Sequence, residues 1–289
     1  MNSPLETNPC FEALLQYLKQ THNFDYTGYK RPSLMRRVQY RMNMLPIEGY
    51  RNYTNYLQEN PQEFRHLFNT IEINLTAFFR NASAWDYIAA NVIPQVIASK
   101  SSDEPIRVWS AGCATGEEVY TLAILLSEAL GVEQFRSRVQ IFGTDLDFDA
   151  ISQARQGSYP TSAVSAIPDY ILKKYFEQID GNYVFRKDLR RRIIFTQHNL
   201  IEDAPMSKID LLTCRNTLIY LNRETQIRVL ARFHFGLKDN SFLFLGHTEV
   251  VQSEIASLFR GVNYEHRVFS KIAKVKLHPR LLVKVLKRS

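Results

Sequence analysis

The stretch that most constrains this chain is Trp109-Ser110-Ala111-Gly112-Cys113-Ala114-Thr115-Gly116-Glu117-Glu118. An apolar run over 106–109 precedes it, and a helix-like run over 118–130 follows. A strand, a small-residue loop and a helix in that order make a nucleotide-binding turn. Gly112 and Gly116 let the backbone approach a ligand closely. The helix N-terminus then presents free N–H groups. The same pattern also describes an ordinary glycine turn between a strand and a helix. The spacing is not the three-glycine fingerprint that seats a pyrophosphate. Two acids at Glu117 and Glu118 would repel a phosphate and suit a ligand that is positive at that end.

The rest of the chain divides by its periodicity. Residues 1–80 show no convincing strand. Phe11, Leu14, Leu15 and Leu18 recur at helical spacing. A second helix is expected over 32–44, with Pro32 at an allowed first position. Two more are expected over 50–58 and 61–72. From residue 106 strands alternate with helices. Strands are expected over 106–110, 139–143, 209–214, 241–246 and 264–271, and helices over 118–130, 148–155 and 223–236. That order implies a mostly parallel sheet with helices on both faces. Between 157 and 195 the alternation breaks. Residues 175–178 and 183–186 flank Asp180-Gly181-Asn182 and read as a hairpin inside an inserted β-subdomain.

Composition narrows the class. A chain of 289 residues accommodates two domains, and 45% hydrophobic with 22% charged residues describes a soluble globular protein. No apolar run reaches the roughly 18 residues of a membrane span. The first fifteen residues lack the basic head and apolar core of a secretory signal. Cys10, Cys113 and Cys214 suit neither a disulfide scaffold nor a metal site, and a reducing cytoplasm is expected. His198, His234 and His247 have no ligand spacing, so no metal is expected.

The net charge of +7 is uneven. Residues 260–289 carry nine Lys/Arg against Glu265, a balance of +8, which leaves −1 for the remainder. Residues 83–259 hold 18 basic and 21 acidic residues, against the spread of basic charge usual for a nucleic-acid enzyme. One short basic patch gathers Lys30, Arg31, Arg36, Arg37 and Arg41.

Polar residues fall where strands end, which is where open parallel sheets bind ligands. Asp145 ends the second strand and could accept both hydrogens of a ribose diol, or cap the next helix. Asn199 and Leu200 precede the strand at 209–214, which ends in Cys214-Arg215-Asn216. A ligand such as S-adenosylmethionine, with an ammonium and a sulfonium, suits the acids after the first strand.

The strings Asn74-Leu75-Thr76-Ala77-Phe78-Phe79-Arg80, Ser110 to Glu118, Gly143-Thr144-Asp145, Asn199-Leu200 and Cys214-Arg215-Asn216-Thr217-Leu218-Ile219-Tyr220 resemble the chemotaxis receptor methyltransferases, the CheR family. The resemblance runs from about residue 11 to 271. Val119 stands where many relatives have proline. The resemblance implies an α/β fold: a Rossmann-like methyltransferase domain (83–271) with a β-subdomain insertion around 170–190, behind an all-helical substrate-docking domain (1–82). It implies a cytoplasmic protein-glutamate O-methyltransferase using S-adenosylmethionine, with S-adenosylhomocysteine as product, acting on chemoreceptor cytoplasmic helices. A monomer is expected, with no nucleic acid.

By the same resemblance, Asn74, Thr76, Arg80, Gly112, Glu117, Asp145, Asn199, Leu200, Arg215 and Asn216 line the cofactor site. Arg80 and Tyr220 position the reacting carboxylate. Read alone, Arg80 could equally cap a helix end and Tyr220 be a buried aromatic. Arg31, Arg36, Arg37 and Arg41 either dock an acidic receptor helix or form a solvated face. Cys113 and Cys214 read as small buried residues. A basic amphipathic pattern over 272–289 could contact an anionic membrane, pack on its own domain or stay disordered. Two other functions stay open on this fold: a methyltransferase for nucleic acid or another protein, and a cofactor-binding signalling module without turnover.

Overall fold

The computed structural model describes residues 8–22, 24–273 and 275. The basic pattern beyond residue 275 lies outside them. Among the described residues ten strands run in chain order: β1 (Ile106–Ala111), β2 (Val139–Asp145), β3 (Ser158–Pro160), β4 (Phe176–Ile179), β5 (Asn182–Phe185), β6 (Ile193–Gln197), β7 (Ile209–Cys214), β8 (Leu237–Leu245), β9 (Phe259–Asn263) and β10 (Val268–Lys271). Seven form one sheet in the order β6-β2-β1-β7-β8-β10-β9. β6, β2, β1, β7 and β8 are mutually parallel. β10 runs antiparallel to both β8 and β9.

All six residues of β7 are buried, as expected for a central strand covered on both faces. Trp109 of β1 is fully buried and donates its indole N–H to Thr144 Oγ1 at 2.9 Å, which fixes β1 beside β2. The chain leaves β1 toward β2 and β6, then returns to the other side of β1 with β7. That reversal makes a topological switch point between β1 and β7, the place where such sheets bind ligands.

Several expected boundaries move. The strand expected over 264–271 begins only at Val268, as β10; residues 264–267 are the turn that joins it to β9, a strand not expected, with Arg267 in the left-handed region there (φ +57°). β6 is an addition: its burial alternates and it lies at the sheet edge. β8 begins four residues before the expected 241, through the polar Lys238-Asp239-Asn240. The hairpin is present as β4 and β5, joined by Asp180 (φ +48°) and Gly181 (φ +79°), a pair of positive φ values that suits a two-residue turn. β3 pairs with β5 to complete a small three-stranded sheet.

The described residues fall into two compact units, one within 1–73 and 220–225, the other within 74–219 and 226–289. The first is built on helices Pro9–His22, Arg31–Met44, Tyr50–Glu59 and Glu63–Ile71. Helices of this length are marginal alone. Packing holds them: Leu14, Leu18, Val38, Tyr53 and Leu67 are fully buried together. Each such side chain contributes about 1.5–3 kcal/mol.

Candidate active site

At the switch point the backbone turns sharply after β1. Gly112 (φ +76°), Ala114 (φ +46°) and Gly116 (φ +95°) all lie in the left-handed region. A Cβ on Gly112 would meet Thr217 Oγ1 at 2.1 Å, so the loops after β1 and β7 close on each other there. The Gly112 and Cys113 N–H groups donate to Thr144 O at 2.8 and 2.9 Å. Gly116 ends the loop, and the helix Glu117–Leu130 begins.

Asp145, at the end of β2, supports this loop. Its Oδ2 accepts the Ala114 N–H at 2.7 Å, and its Oδ1 accepts the Asp147 N–H at 3.0 Å. Asp145 is therefore not the cap of the next helix. That role belongs to Asp147, whose Oδ1 accepts from Asp149 and Ala150 N–H groups at 2.8 and 3.2 Å. The second oxygen of Asp147 accepts from the Asn74 side chain at 2.6 Å. Thr76 is half-buried in the segment that follows.

Glu117 is buried, with Oε2 accepting the Thr115 hydroxyl at 2.7 Å. Burial raises the pKa of both Glu117 and Asp145 above the ordinary value; hydrogen bonds oppose this without cancelling it. Among the described residues neither carboxylate has an ion-pair partner. Two desolvated, unpaired acids beside a loop of close backbone approach fit the ammonium and ribose of S-adenosylmethionine. They do not fit a phosphate.

Glu118, the other acid of the motif, turns inward. Its Oε1 accepts hydroxyls of Ser110 and Thr213 at 2.8 and 2.6 Å, and Arg215 Nη1 lies 3.5 Å from its Oε2. Arg215 also donates to Arg80 O at 2.9 Å and Asn81 Oδ1 at 3.1 Å, so its polar contacts are within the protein. Arg80 is half-buried and donates to Leu75 O at 2.8 Å.

Asn216 adopts φ +60°. Its loop hangs on Glu249, which the sequence reading did not single out. The Glu249 carboxylate accepts four backbone N–H groups: Gly246 at 2.7, Asn216 at 3.0, Thr217 at 2.9 and Leu218 at 2.7 Å. On the β6 side, Asn199 Oδ1 accepts the Ile201 N–H at 2.9 Å, and Leu200 is half-buried. Cys113 and Cys214 are buried, and burial raises both thiol pKa values, which disfavours a thiolate.

In the helical unit, Tyr220 lies beneath the Arg37 guanidinium, 4.5 Å from ring centre to Cζ. Three of the four arginines proposed from sequence for docking have partners there. Arg31 pairs with Glu12 at 2.6 and 3.1 Å, and Arg41 with Glu63 at 2.7 Å through both nitrogens. Arg37 donates to Ile71 O. Arg36 is exposed.

A parallel sheet reversed between β1 and β7, with its glycine-bounded loop and strand-end acids at that reversal, is the architecture of a Rossmann-like methyltransferase. Comparison with known proteins agrees. Residues 74–268 match the CheR methyltransferase SAM binding domain, and residues 10–71 match the CheR methyltransferase all-alpha domain. A chemotaxis protein methyltransferase of Borreliella burgdorferi is 32% identical over 219 residues, covering 72% of this chain and 77% of that protein. Chemotaxis protein methyltransferase 2 of Vibrio cholerae is 30% identical over 266 residues, 90% of this chain and 91% of that protein. An uncharacterized 104.1 kDa protein of Rhodobacter capsulatus is 31% identical over 268 residues; the chain spans 28% of its length. This chain belongs to the CheR methyltransferase family, and its cofactor is S-adenosylmethionine.

Proposed function

We propose that this chain methylates glutamate side-chain carboxylates of chemoreceptors in the cytoplasm, leaving glutamate methyl esters. The observation that supports this best is the pair of carboxylates without an ion-pair partner among the described residues, half-buried Asp145 and buried Glu117, beside the loop after β1 of a CheR-family sheet. When bound, S-adenosylmethionine supplies a methyl group on a sulfonium leaving group.

A glutamate carboxylate, with an ordinary pKa of about 4.3, is already ionised at neutral pH and needs no general base. The work left to the protein is alignment and exclusion of water. Asp145 would hold the ribose, and Glu117 the ammonium of the methionine part. Gly112 gives the loop its close approach. Asn199 and Leu200 would flank the adenine, and Asn74, Thr76 and Asn216 would complete the lining. Arg80 holds the receptor carboxylate through charge-assisted hydrogen bonds, and Tyr220 is the second positioning group. The helix Arg31–Met44 docks the receptor helix.

Incubation with methyl-tritiated S-adenosylmethionine and a chemoreceptor cytoplasmic fragment tests the reading. The expected label is protein-bound and leaves as volatile methanol in alkali. Alkali-stable label, or cofactor binding with no transfer to any receptor fragment, overturns it. Arg80→Ala should keep the wild-type melting temperature and lose most of this transfer.

A further inference from the structure

Arg80 sits in an unusual turn. Phe79 before it (φ +50°) and Asn81 after it (φ +63°) both occupy the left-handed region. Asn tolerates this region, but a bulky residue such as Phe79 rarely adopts it and persists there only where the surroundings over-determine the conformation. The near end is pinned by the Phe79 N–H, which donates to Thr121 Oγ1 at 3.1 Å. The far end is held by Arg215, from the loop after β7.

Arg215 is buried, and its two terminal nitrogens have partners while its Nε has none among the described residues. Its guanidinium carbon lies 4.7 Å from the Phe244 ring centre and 5.1 Å from the Trp85 ring centre. Its side chain is 4% exposed, and Nη1 lies 3.5 Å from Glu118. Nη2 reaches the turn, donating to the carbonyl oxygen of Arg80 at 2.9 Å and to Asn81 Oδ1 at 3.1 Å. These contacts need a planar, always-charged fork: one nitrogen toward a carboxylate and another toward two acceptors, with the guanidinium carbon within about 5 Å of two aromatic ring centres. A lysine ammonium supplies the charge without the fork.

We propose that Arg215 is a positioning residue acting through Arg80: it locks the left-handed turn that aims the Arg80 guanidinium. This rests on the reading above, in which Arg80 holds the receptor carboxylate. It also gives Arg215 a role distinct from cofactor contact.

The test is a double-variant cycle on the full chain, with Arg215→Lys, Arg80→Lys and the pair. Arg215→Lys keeps a cation opposite Glu118. It should leave S-adenosylmethionine affinity by titration calorimetry within about twofold and lower kcat by on the order of tenfold. The pair should lose no more than Arg80→Lys alone, because the two act as one unit. Asn81→Gly, which removes one acceptor while accommodating the left-handed backbone, should lower kcat in the same direction with affinity unchanged; it serves if Arg215→Lys does not fold. Multiplying losses in the pair, or a cofactor affinity weakened tenfold at unchanged kcat, overturns the proposal alone. Full kcat in Arg80→Lys removes the reading of Arg80 and the proposal together.

Discussion

The Asn74 side chain donates to the Asp147 carboxylate at 2.6 Å. The same carboxylate caps the helix Phe148–Gln156, two residues beyond Asp145. One acid thus ties the start of the 74–80 segment to the end of β2. Asp147→Ala removes a cap worth about 1 kcal/mol and releases Asn74. The expected outcome is a melting temperature lower by roughly 2–4 °C together with weaker S-adenosylmethionine binding. Scanning and titration calorimetry read the two effects. Lower stability at unchanged affinity would show that the Asn74 segment is not coupled to the cofactor.

Buried Glu117 sets a pH signature. Burial holds Glu117 above its ordinary 4.5, so the folded state favours its neutral form. Its contribution to stability is full below that ordinary value and is lost as pH rises through the folded value. At neutral pH its ionisation works against the ligand-free fold. Glu117→Gln should therefore raise the melting temperature of the ligand-free chain at neutral pH while weakening S-adenosylmethionine binding. A lower melting temperature without ligand would mean that the charge is stabilised by the fold.

Within the helical unit, Arg36 and Arg41 should separate cleanly. Arg41 and Glu63 are a buried pair, with side chains 16% and 4% exposed, and Tyr53 also donates to Glu63 at 2.7 Å. Burial opposes the Glu63 charge, but the bonds from Arg41 and Tyr53 outweigh it and hold its pKa below the ordinary value. That stability is present above the ordinary value and is lost as pH falls through the folded one. Arg41→Ala leaves a buried charge unpaired and should cost about 3–5 kcal/mol. Arg36→Ala should leave melting unchanged, raise the apparent KM for receptor and reduce its salt dependence. Unchanged receptor kinetics in Arg36→Ala would make that face a solvated surface only.

The sequence carried the features that have local signatures. The apolar spacing of Phe11, Leu14, Leu15 and Leu18 marked a helix whose four named residues are buried. The order of strands, glycines and strand-end polar residues marked the carboxyl ends of the sheet, while the switch point came only with the strand order. Features made by distant partners were not legible. Glu249 collects N–H groups from a loop some thirty residues away, and nothing around Gly246-His247-Thr248 marks it. Asp145 and Asp147 are equally good caps on paper; the strand continues through Asp145, which gives the cap to Asp147. Arg31 and Arg41 read as free basic charge because Glu12 and Glu63 lie 19 and 22 residues away. The polar Lys238-Asp239-Asn240 hid only the start of β8, whose later residues, expected as a strand, are all buried.

The central claim is that the methyl group ends on a receptor glutamate. Peptide mapping by mass spectrometry, after incubating a chemoreceptor cytoplasmic fragment with this chain and S-adenosylmethionine, reads it directly. The account predicts added methyl mass on glutamate side chains of the fragment's acidic helices, removed by mild alkali and absent with Arg80→Ala. Methyl mass on lysine, arginine or a backbone terminus, or on glutamate at the same rate with Arg80→Ala, would contradict it.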